Sequence, residues 1–296
     1  MYVQGVSTRK VAAITEQLCG FEVSSSQVSR AAAALDEHLS AWRSRPLGEQ
    51  ATPYLLLDAR YEKVRRGGLV QDAAVLMAVG IGVDGKRRIL GVSVAISEHE
   101  VHWREFLRGL LERGLLERGL SGVRLIVSDD HAGLKTARQA VLGSVPWQRC
   151  QFPLQQNAQA YVPKQEMRAQ VAADVRADVR AVFNAPDRAS AETLLREKAA
   201  HYQQSAPRLS VWMLSVWMEA SLPEGLRVFA LPEAHRRLLR TTNGLERVNK
   251  EVRRRTRVVR LFPSEASCLR LASAVLMEFS DEWEAGKAYL TFPDQN

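Results

Sequence analysis

The sequence lacks the features that mark secreted, disulfide-rich and membrane-spanning proteins. Its three cysteines, Cys19, Cys150 and Cys268, lie far apart and form no Cys-x-x-Cys pair. This argues against a disulfide framework and against a four-cysteine zinc site. The longest apolar run, residues 73–83, is 11 residues long, which is too short to span a bilayer, and the first ten residues contain no signal-peptide core. We therefore expect a cytoplasmic protein with no membrane partner.

The chain also has no excess of acidic charge. It carries 41 Lys and Arg against 33 Asp and Glu, a formal net charge of +8 over 296 residues. Ten of the basic residues and only two of the acidic ones fall between Arg236 and Arg260, so this segment accounts for the whole excess. A segment this basic suits a polyanionic partner, of which nucleic acid is the commonest.

Residues 1–48 are predicted to be helical. Val11, Ile14 and Leu18 recur at helical spacing before a glycine interrupts the pattern, and the serines at 24–26 suit the cap of a second helix that carries Arg30. Two helices joined by a short turn resemble a helix-turn-helix segment that binds DNA. The alternative is an ordinary helical pair.

Residues 49–160 change to alternating strands and helices. We predict strands at 54–64, 69–80 and 87–96, a helix at 101–116, a strand at 123–127, a helix at 132–141 and a strand at 145–150. An Asp84-Gly85 hairpin signal makes the first three strands antiparallel neighbours. This order fits an α/β fold with a ribonuclease-H-like mixed sheet. Residues 161–235 are interpreted as a helical insertion, and residues 236–296 complete the core with a basic helix.

Two aspartates follow buried strands of this core. Asp58 comes after four apolar residues, and Asp129 lies at the carboxyl end of a strand, which is where ligands bind in open α/β sheets. Neighbouring carboxylates repel each other unless a cation lies between them, and their hard oxygen atoms suit Mg²⁺ or Mn²⁺. The alternative is that Asp129 and Asp130 cap the following helix.

Glu246 is the candidate third carboxylate. Asn249, Lys250 and Arg253 follow it at +3, +4 and +7, so they share its face of a helix. A carboxylate in a row of phosphate-binding groups suits a metal ligand beside DNA. The alternative is a capping box formed by Asn243 and Glu246.

Ordered blocks along the chain resemble the Mutator-type transposases of bacterial insertion sequences. The blocks are 5–10, 57–59, 128–134, 148–150 and 241–247, with Phe262-Pro263 and Glu282-Trp283 in addition. The resemblance implies a ribonuclease-H-like catalytic domain with a helical insertion. It also implies that Asp58, Asp129 and Glu246 form a catalytic triad that holds two Mg²⁺ or Mn²⁺ ions for DNA cleavage and strand transfer.

The same resemblance implies double-stranded DNA as the partner, both at the ends of the element and at the target. It further implies a homo-oligomer on DNA in the nucleoid-associated cytoplasm. The candidate DNA-binding residues are Arg30, Arg240, Asn243, Arg247, Asn249, Lys250, Arg253, Arg254, Arg255 and Arg257.

The sequence departs from the family in several places. Pro153 stands where the family carries a histidine, three residues after Cys150, and proline neither binds a metal nor transfers a proton. The sequence begins at the helical pair, so we expect the family's further N-terminal DNA-binding region to be missing. Two alternatives to an active transposase follow: a truncated DNA-binding inhibitor of transposition, and a structure-selective nuclease with the same fold.

Three short segments are duplicated in tandem. The duplicated segments are 110–114, 173–176 and 209–213, each followed at once by its copy. A four-residue repeat rotates a helix by about 40° and keeps its apolar face, whereas a five-residue repeat rotates it by about 140°. We expect the third duplication to strain packing most, and this copy of the element to be partly degenerate.

Overall fold

The computed structural model describes residues 4, 6, 8–20, 22–47, 50–112, 119–151, 168–205, 207–212 and 222–292. Its contacts divide the chain into two compact units. The first unit consists of Met1–Arg124, His131–Val145 and Asn243–Asn296, and the second of Leu125–Asp130 and Pro146–Thr242.

Between residues 54 and 149, the helices and strands follow the order that the sequence predicts. Up to residue 149 the elements are α1 (Thr8–Cys19), α2 (Ser25–Ala33), α3 (Asp36–Ser44), β1 (Tyr54–Arg66), β2 (Leu69–Ile81), β3 (Arg87–Ala95), α4 (Glu100–Leu111), β4 (Leu125–Ser128), α5 (Ala132–Leu142) and β5 (Trp147–Arg149). The later ones are α6 (Arg168–Phe183), α7 (Arg188–Ser205), α8 (Pro207–Trp212), α9 (Leu222–Gly225), a 3₁₀ helix (Arg227–Ala230), α10 (Glu233–Leu239), α11 (Asn243–Val259) and α12 (Glu265–Ala285).

The first unit is built on an antiparallel meander. β1 pairs with β2 along its full length, from Tyr54 opposite Ile81 to Arg66 opposite Leu69, and β2 pairs with β3. The predicted hairpin is confirmed, with Gly85 at a φ of +74°. Residues 73–82 of β2 and the turn after it are buried throughout, because helices cover this part of the sheet, and α12 packs against all three strands.

The N-terminal helices differ from the prediction at one point. Ser24 caps α2 in a capping box with Gln27, as its sequence suggests. The second predicted helix is in fact two helices, α2 and α3. The start of α3 is held by a long-range contact, because Asp36 accepts two hydrogen bonds from Arg270 of α12, at 2.7 and 2.5 Å.

The second unit combines a parallel strand pair with helices. β4 and β5 pair from Ile126 opposite Trp147 to Ser128 opposite Arg149. An apolar cluster of this unit is formed mainly by α6 and α7. The cluster contains Val175, Val179, Val182, Phe183, Ala191, Leu195, Ala199, Tyr202, Leu209 and Leu226.

The duplication in α6 behaves as predicted for a four-residue repeat. Val175 and its copy Val179 both lie on the apolar face, each 1% exposed. The other two duplications fall partly on residues 113–118 and 213–221, which lie outside the described residues.

The chain is therefore of the α/β class, with antiparallel and parallel strand pairs and many helices. Its likeness to the ribonuclease-H-like fold stays a prediction. Within the described part of the chain, no helix is long and apolar enough to cross a membrane.

Candidate functional site

Asp58 is held in place by hydrogen bonds to both of its carboxylate oxygens. Asn249 of α11 donates from Nδ2 to Asp58 Oδ2 at 2.6 Å, and the Ala59 backbone N–H donates to Oδ1 at 2.8 Å. A carboxylate accepts but does not donate, so this contact orients the Asn249 amide. The amide oxygen Oδ1 is then left buried without a hydrogen-bond partner among the described residues. The site therefore presents one buried amide oxygen, Asn249 Oδ1, that has no hydrogen-bond donor among the described residues.

A second polar contact fixes α11 against β1. Arg60 and Glu62 follow Asp58 at every second position, so all three share one face of the strand. Arg60 Nη1 donates to the backbone carbonyl of Asn249 at 2.6 Å, and Arg60 Nη2 lies 2.6 Å from Glu62 Oε1. Thr256 donates to the same Glu62 oxygen at 2.8 Å. These contacts set the position of α11 along β1.

Burial lowers the pKa of the Arg60 guanidinium, while the adjacent Glu62 carboxylate acts in the opposite direction. The Arg60–Glu62 pair is itself largely enclosed, at 14% and 12% side-chain exposure. A buried ion pair of this kind is costly to break because it leaves one charge uncompensated.

Glu246 lies on the same side of α11 as Asn249. The two residues are three positions apart, a little less than one helical turn, or about 4.5 Å along the axis. The Glu246 side chain is 38% exposed, and Lys250 Nζ lies 3.7 Å from its Oε2. α11 begins at Asn243. The capping-box alternative for Asn243 and Glu246 depends on the Asn243 side chain, which lies outside the described residues, so it stays a prediction.

Asp129 lies in the second unit, directly after β4. Its backbone carbonyl accepts a hydrogen bond from Ser128 Oγ at 2.9 Å. The neighbouring Asp130 pairs with Arg149, at 3.0 Å between Oδ2 and Nη1. The N-cap of α5 is His131, so the alternative that Asp129 and Asp130 cap this helix is wrong. The two aspartates thus differ, and Asp130 is the ion-pair partner.

No three His, Cys, Asp or Glu side chains of the described residues form a group that could hold a metal ion. In the first unit, Asn249 contacts Asp58 directly and lies three positions after Glu246 on α11. Sequence reasoning placed Asn249 on the face of Glu246 but missed its contact with Asp58, because β1 and α11 are far apart in the chain.

The 128–134 block contributes a close approach of main chains. A Cβ atom on Gly133 would lie 2.1 Å from the backbone oxygen of Glu98, so only glycine fits there. His131 Nδ1 lies 3.6 Å from Glu98 Oε2. This glycine therefore allows α5 to pack against the start of α4.

The 148–150 block organises the end of the second unit. Gln148 Nε2 donates to the backbone oxygen of Gly225 at 2.7 Å, and the Thr242 N–H donates to the buried Cys150 Sγ at 3.4 Å. These residues hold the segment that leads to residue 242. Pro153 lies outside the described residues.

The exposed face of α11 is strongly basic. Arg247, Lys250 and Arg254 have side chains that are 74%, 79% and 57% exposed, and Arg253 and Arg257 are exposed as well. The apolar stripe of the helix is buried. It consists of Leu245, Val248 and Val252, at 1%, 0% and 0% exposure. Beside the basic face, an open groove of about 710 Å³ lies between α11 and α12.

Three of the candidate DNA-binding arginines are already paired with carboxylates, and in one of these pairs Arg247 Nη2 lies 3.5 Å from Glu282 Oε1. Arg255 is only 9% exposed and contacts Glu251 at 2.8 Å and Glu278 at 2.6 Å, so its charge is compensated inside the protein. This burial makes Arg255 unsuitable for contacting DNA. Arg254 is exposed but shares Glu251, at 2.6 Å. The two guanidinium groups hold the pKa of Glu251 at about 2.

The basic segment is not one helix. α10 ends at Leu239 and α11 begins at Asn243, so Arg236, Arg237 and Arg240 belong to the second unit. The other seven basic residues lie on α11 or directly after it, in the first unit. Of the remaining candidates, Arg30 is exposed on α2, and the Asn243 side chain lies outside the described residues.

Comparison with known proteins identifies the class of this chain as a transposase. The profile of the Mutator family of transposases matches residues 1–286, so the chain belongs to that family. It is 59% identical over 294 residues to the transposase for insertion sequence element IS406 of Burkholderia multivorans, a match that covers 99% of this chain and 72% of the relative.

Two further relatives carry the same kind of name. The transposase for ISRM5 of Rhizobium meliloti is 43% identical, over 99% of this chain and 70% of its own length. The transposase for IS256 in transposon Tn4001 of Staphylococcus aureus is 36% identical, over 99% and 72%.

Proposed function

We propose that this transposase cuts and rejoins DNA strands by a metal-dependent reaction at Asp58, Asp129 and Glu246, on a ribonuclease-H-like core. The observation that carries the proposal is the Asp58–Asn249 hydrogen bond. This bond holds the Asp58 carboxylate against Asn249 of α11, and Asn249 is three positions from Glu246 on that helix.

The residues fit a divalent cation. Asp58 supplies carboxylate oxygens, and the buried Asn249 Oδ1 has no hydrogen-bond donor among the described residues. An unpaired buried oxygen atom costs free energy, and a hard cation such as Mg²⁺ or Mn²⁺ relieves that cost. Asp58, Asp129 and Glu246 would hold two ions. When bound, these ions supply an activated water or 3′-hydroxyl nucleophile and stabilise the leaving oxygen.

The exposed cations of α11 hold the DNA. Lys250, Arg253 and Arg257 project from the exposed side of the helix and suit the phosphates of double-stranded DNA, at the element end and at the target. The network of Arg60 and Glu62 keeps the helix in register, so that a phosphodiester bound along it lies next to Glu246. Synapsis of two ends requires a homo-oligomer on DNA.

A strand-nicking assay tests the proposal. Wild-type protein with Mg²⁺ should nick DNA that carries the ends of its element, and Asp58→Ala, Asp129→Ala and Glu246→Gln should abolish nicking while DNA binding persists. Glu282→Gln is a matched control, because Glu282 is an exposed carboxylate of the same groove and stands outside the proposed triad.

Three outcomes would contradict the proposal. Nicking that survives all three triad substitutions would remove these carboxylates from catalysis. Binding of element ends by the wild type, without any nicking in Mg²⁺ or Mn²⁺, would favour the DNA-binding inhibitor instead. Equal nicking of branched DNA with unrelated sequence would favour the structure-selective nuclease.

A further inference from the structure

The second unit contains a cleft that the proposed reaction does not use. It measures about 610 Å³ and lies where the end of α6 meets the 3₁₀ helix and α10. Its lining includes Phe183, Asn184, Phe229, Arg236, Arg237 and Arg240. Arginine and phenylalanine thus line the same cavity.

Two of the cleft arginines are tied to uncharged acceptors. Arg236 donates to the backbone oxygens of Leu231 and Pro186, at 2.9 and 2.6 Å, and Arg240 donates to the side-chain oxygen of Asn184. Neither contact neutralises a positive charge. Both guanidinium groups are therefore held in place by hydrogen bonds while these acceptors leave their positive charge uncompensated.

Two more arginines add to this positive charge. Arg237 and Arg180 are exposed, and neither forms an ion pair within the described part of the chain. Burial lowers the pKa of Arg240, and the positive charges of Arg237 and Arg180 lower it further. Mutual repulsion of this kind is relieved by a bound anion.

The acidic groups nearby are few and partly engaged. Glu233 lines the cleft, and Asp187 uses its carboxylate to accept the Ser190 N–H at 2.8 Å, at the start of α7. The four arginines in and beside the cleft outnumber these two carboxylates. The electrostatic potential in the cleft is therefore positive.

An aromatic ring gives the cleft its second property. Phe229 is only partly buried, and the Arg236 guanidinium carbon lies 5.6 Å from the centre of its ring. Aromatic rings beside cations are the usual platform for unstacked bases of single-stranded nucleic acid. A ring recessed in a cleft can contact a base that is splayed out of a single strand more readily than a base that is stacked in a duplex.

We propose that this cleft binds single-stranded DNA, with phosphates on Arg180 and Arg237 and one base against Phe229. The inference rests on the proposed action on DNA and adds a binding site for a strand that has left the duplex. α11 holds the duplex, and the cleft holds the separated strand.

The test compares two double variants of the full chain. Arg180→Ala with Arg237→Ala removes one exposed cation of the cleft lining and the exposed Arg180, whose charge acts on Arg240 of that lining. Arg196→Ala with Arg208→Ala removes two exposed arginines of the same unit that do not line the cleft. Affinity for fluorescein-labelled oligo(dT) of 15 nucleotides is measured by anisotropy between 50 and 200 mM NaCl.

We expect the cleft variant to bind oligo(dT) about tenfold more weakly or worse. Its plot of log affinity against log salt should become shallower by about 1.4, for two lost phosphate contacts at about 0.7 each. The control variant should lose much less. Equal loss in both variants, or unchanged affinity and slope in the cleft variant, would overturn the proposal.

A second variant tests the aromatic contact separately. Phe229→Leu keeps an apolar side chain at a partly buried position, so the unit should remain folded by circular dichroism. Oligo(dT) affinity should fall by about fivefold or more at an unchanged salt slope, because stacking is lost and no charge changes. Unchanged affinity would remove Phe229 from the site.

Failure of this inference is distinguishable from failure of the proposed reaction. Asp58→Ala should abolish nicking without changing oligo(dT) affinity. Absent nicking in a wild type that binds oligo(dT) normally would count against the reaction alone. Normal nicking together with unaltered oligo(dT) binding by the cleft variants would count against the cleft alone.

Discussion

Replacing Asn249 with aspartate tests the contact that organises the site. The Asn249 amide donates to Asp58 Oδ2 at 2.6 Å, so Asn249→Asp exchanges a donor for a second carboxylate at the same place. Without a cation, both carboxylates can stay ionised and repel each other. Alternatively, one of them becomes protonated and donates a hydrogen bond to the other. The variant should therefore be destabilised, and the size of the penalty should depend on pH.

The magnitude follows from two limits. Two unit charges about 4 Å apart cost roughly 4 kcal/mol at an effective dielectric constant of about 20. Protonating one carboxyl instead costs about 1.4 kcal/mol for each pH unit above its ordinary pKa near 4. The cheaper route sets the penalty, which is about 1.4 kcal/mol at pH 5 and about 4 kcal/mol at pH 8. The raised pKa of the shared pair means that stability is lost as pH rises.

Asn249→Ala is the matched control. It removes the hydrogen bond to a charged group, at a cost of about 1.5–3 kcal/mol, and introduces no titrating group. Its penalty should therefore be the same at pH 5 and pH 8. Urea unfolding followed by circular dichroism at both pH values measures the two penalties.

Added Mg²⁺ sharpens the comparison. A cation between the two carboxylates removes their repulsion, so at pH 8 Mg²⁺ should raise the stability of Asn249→Asp more than that of Asn249→Ala, which lacks the second carboxylate. A penalty for the aspartate variant that is independent of both pH and Mg²⁺ would refute the assignment of Asn249 to Asp58.

Two further predictions concern residues outside this contact. Glu251→Gln should lower stability by about 1 kcal/mol or less, because the ion pair is partly exposed, and should make the salt dependence of duplex binding steeper by about 0.9, because Arg254 is released. The pKa of Glu251 is about 2 instead of 4.5, so the wild type should lose this contribution as pH falls from about 4.5 to 2, whereas the variant should show no such loss. Gly133→Ala should destabilise the first unit by about 1–3 kcal/mol in urea unfolding, because its Cβ would meet the backbone oxygen of Glu98. Gly109→Ala is the control, because this helical glycine has open space around its Cβ position and the substitution should not destabilise the unit.

Local patterns were enough to predict most of the elements. Strand periodicity, the Asp84-Gly85 turn and the Ser24 cap each depend on only a few neighbouring residues. They can therefore be predicted directly from the sequence. The division between α2 and α3 was missed because it depends on the contact between Asp36 and Arg270, which are 234 positions apart.

The same limit applies to the candidate site. A count of charges along residues 236–260 does not separate paired arginines from exposed ones. Arg255 is neutralised partly by Glu278, which lies on another helix, and Arg240 belongs to a different unit from α11. Helical spacing showed which residues share a face with Glu246, but only the pairing of α11 with β1 shows what that face contacts.

The position of Glu246 depends on polar contacts more than on the apolar stripe of its helix. Leu245, Val248 and Val252 bury one side of α11, and apolar packing of this kind tolerates small shifts. Asn249 is different, because its side chain is bonded to Asp58 and its backbone carbonyl to Arg60. A helix turns by about 100° per residue, so a slip of one position would break both bonds and rotate Glu246 by about the same angle relative to β1. The hydrogen bonds of one asparagine therefore fix the geometry on which the proposed chemistry depends.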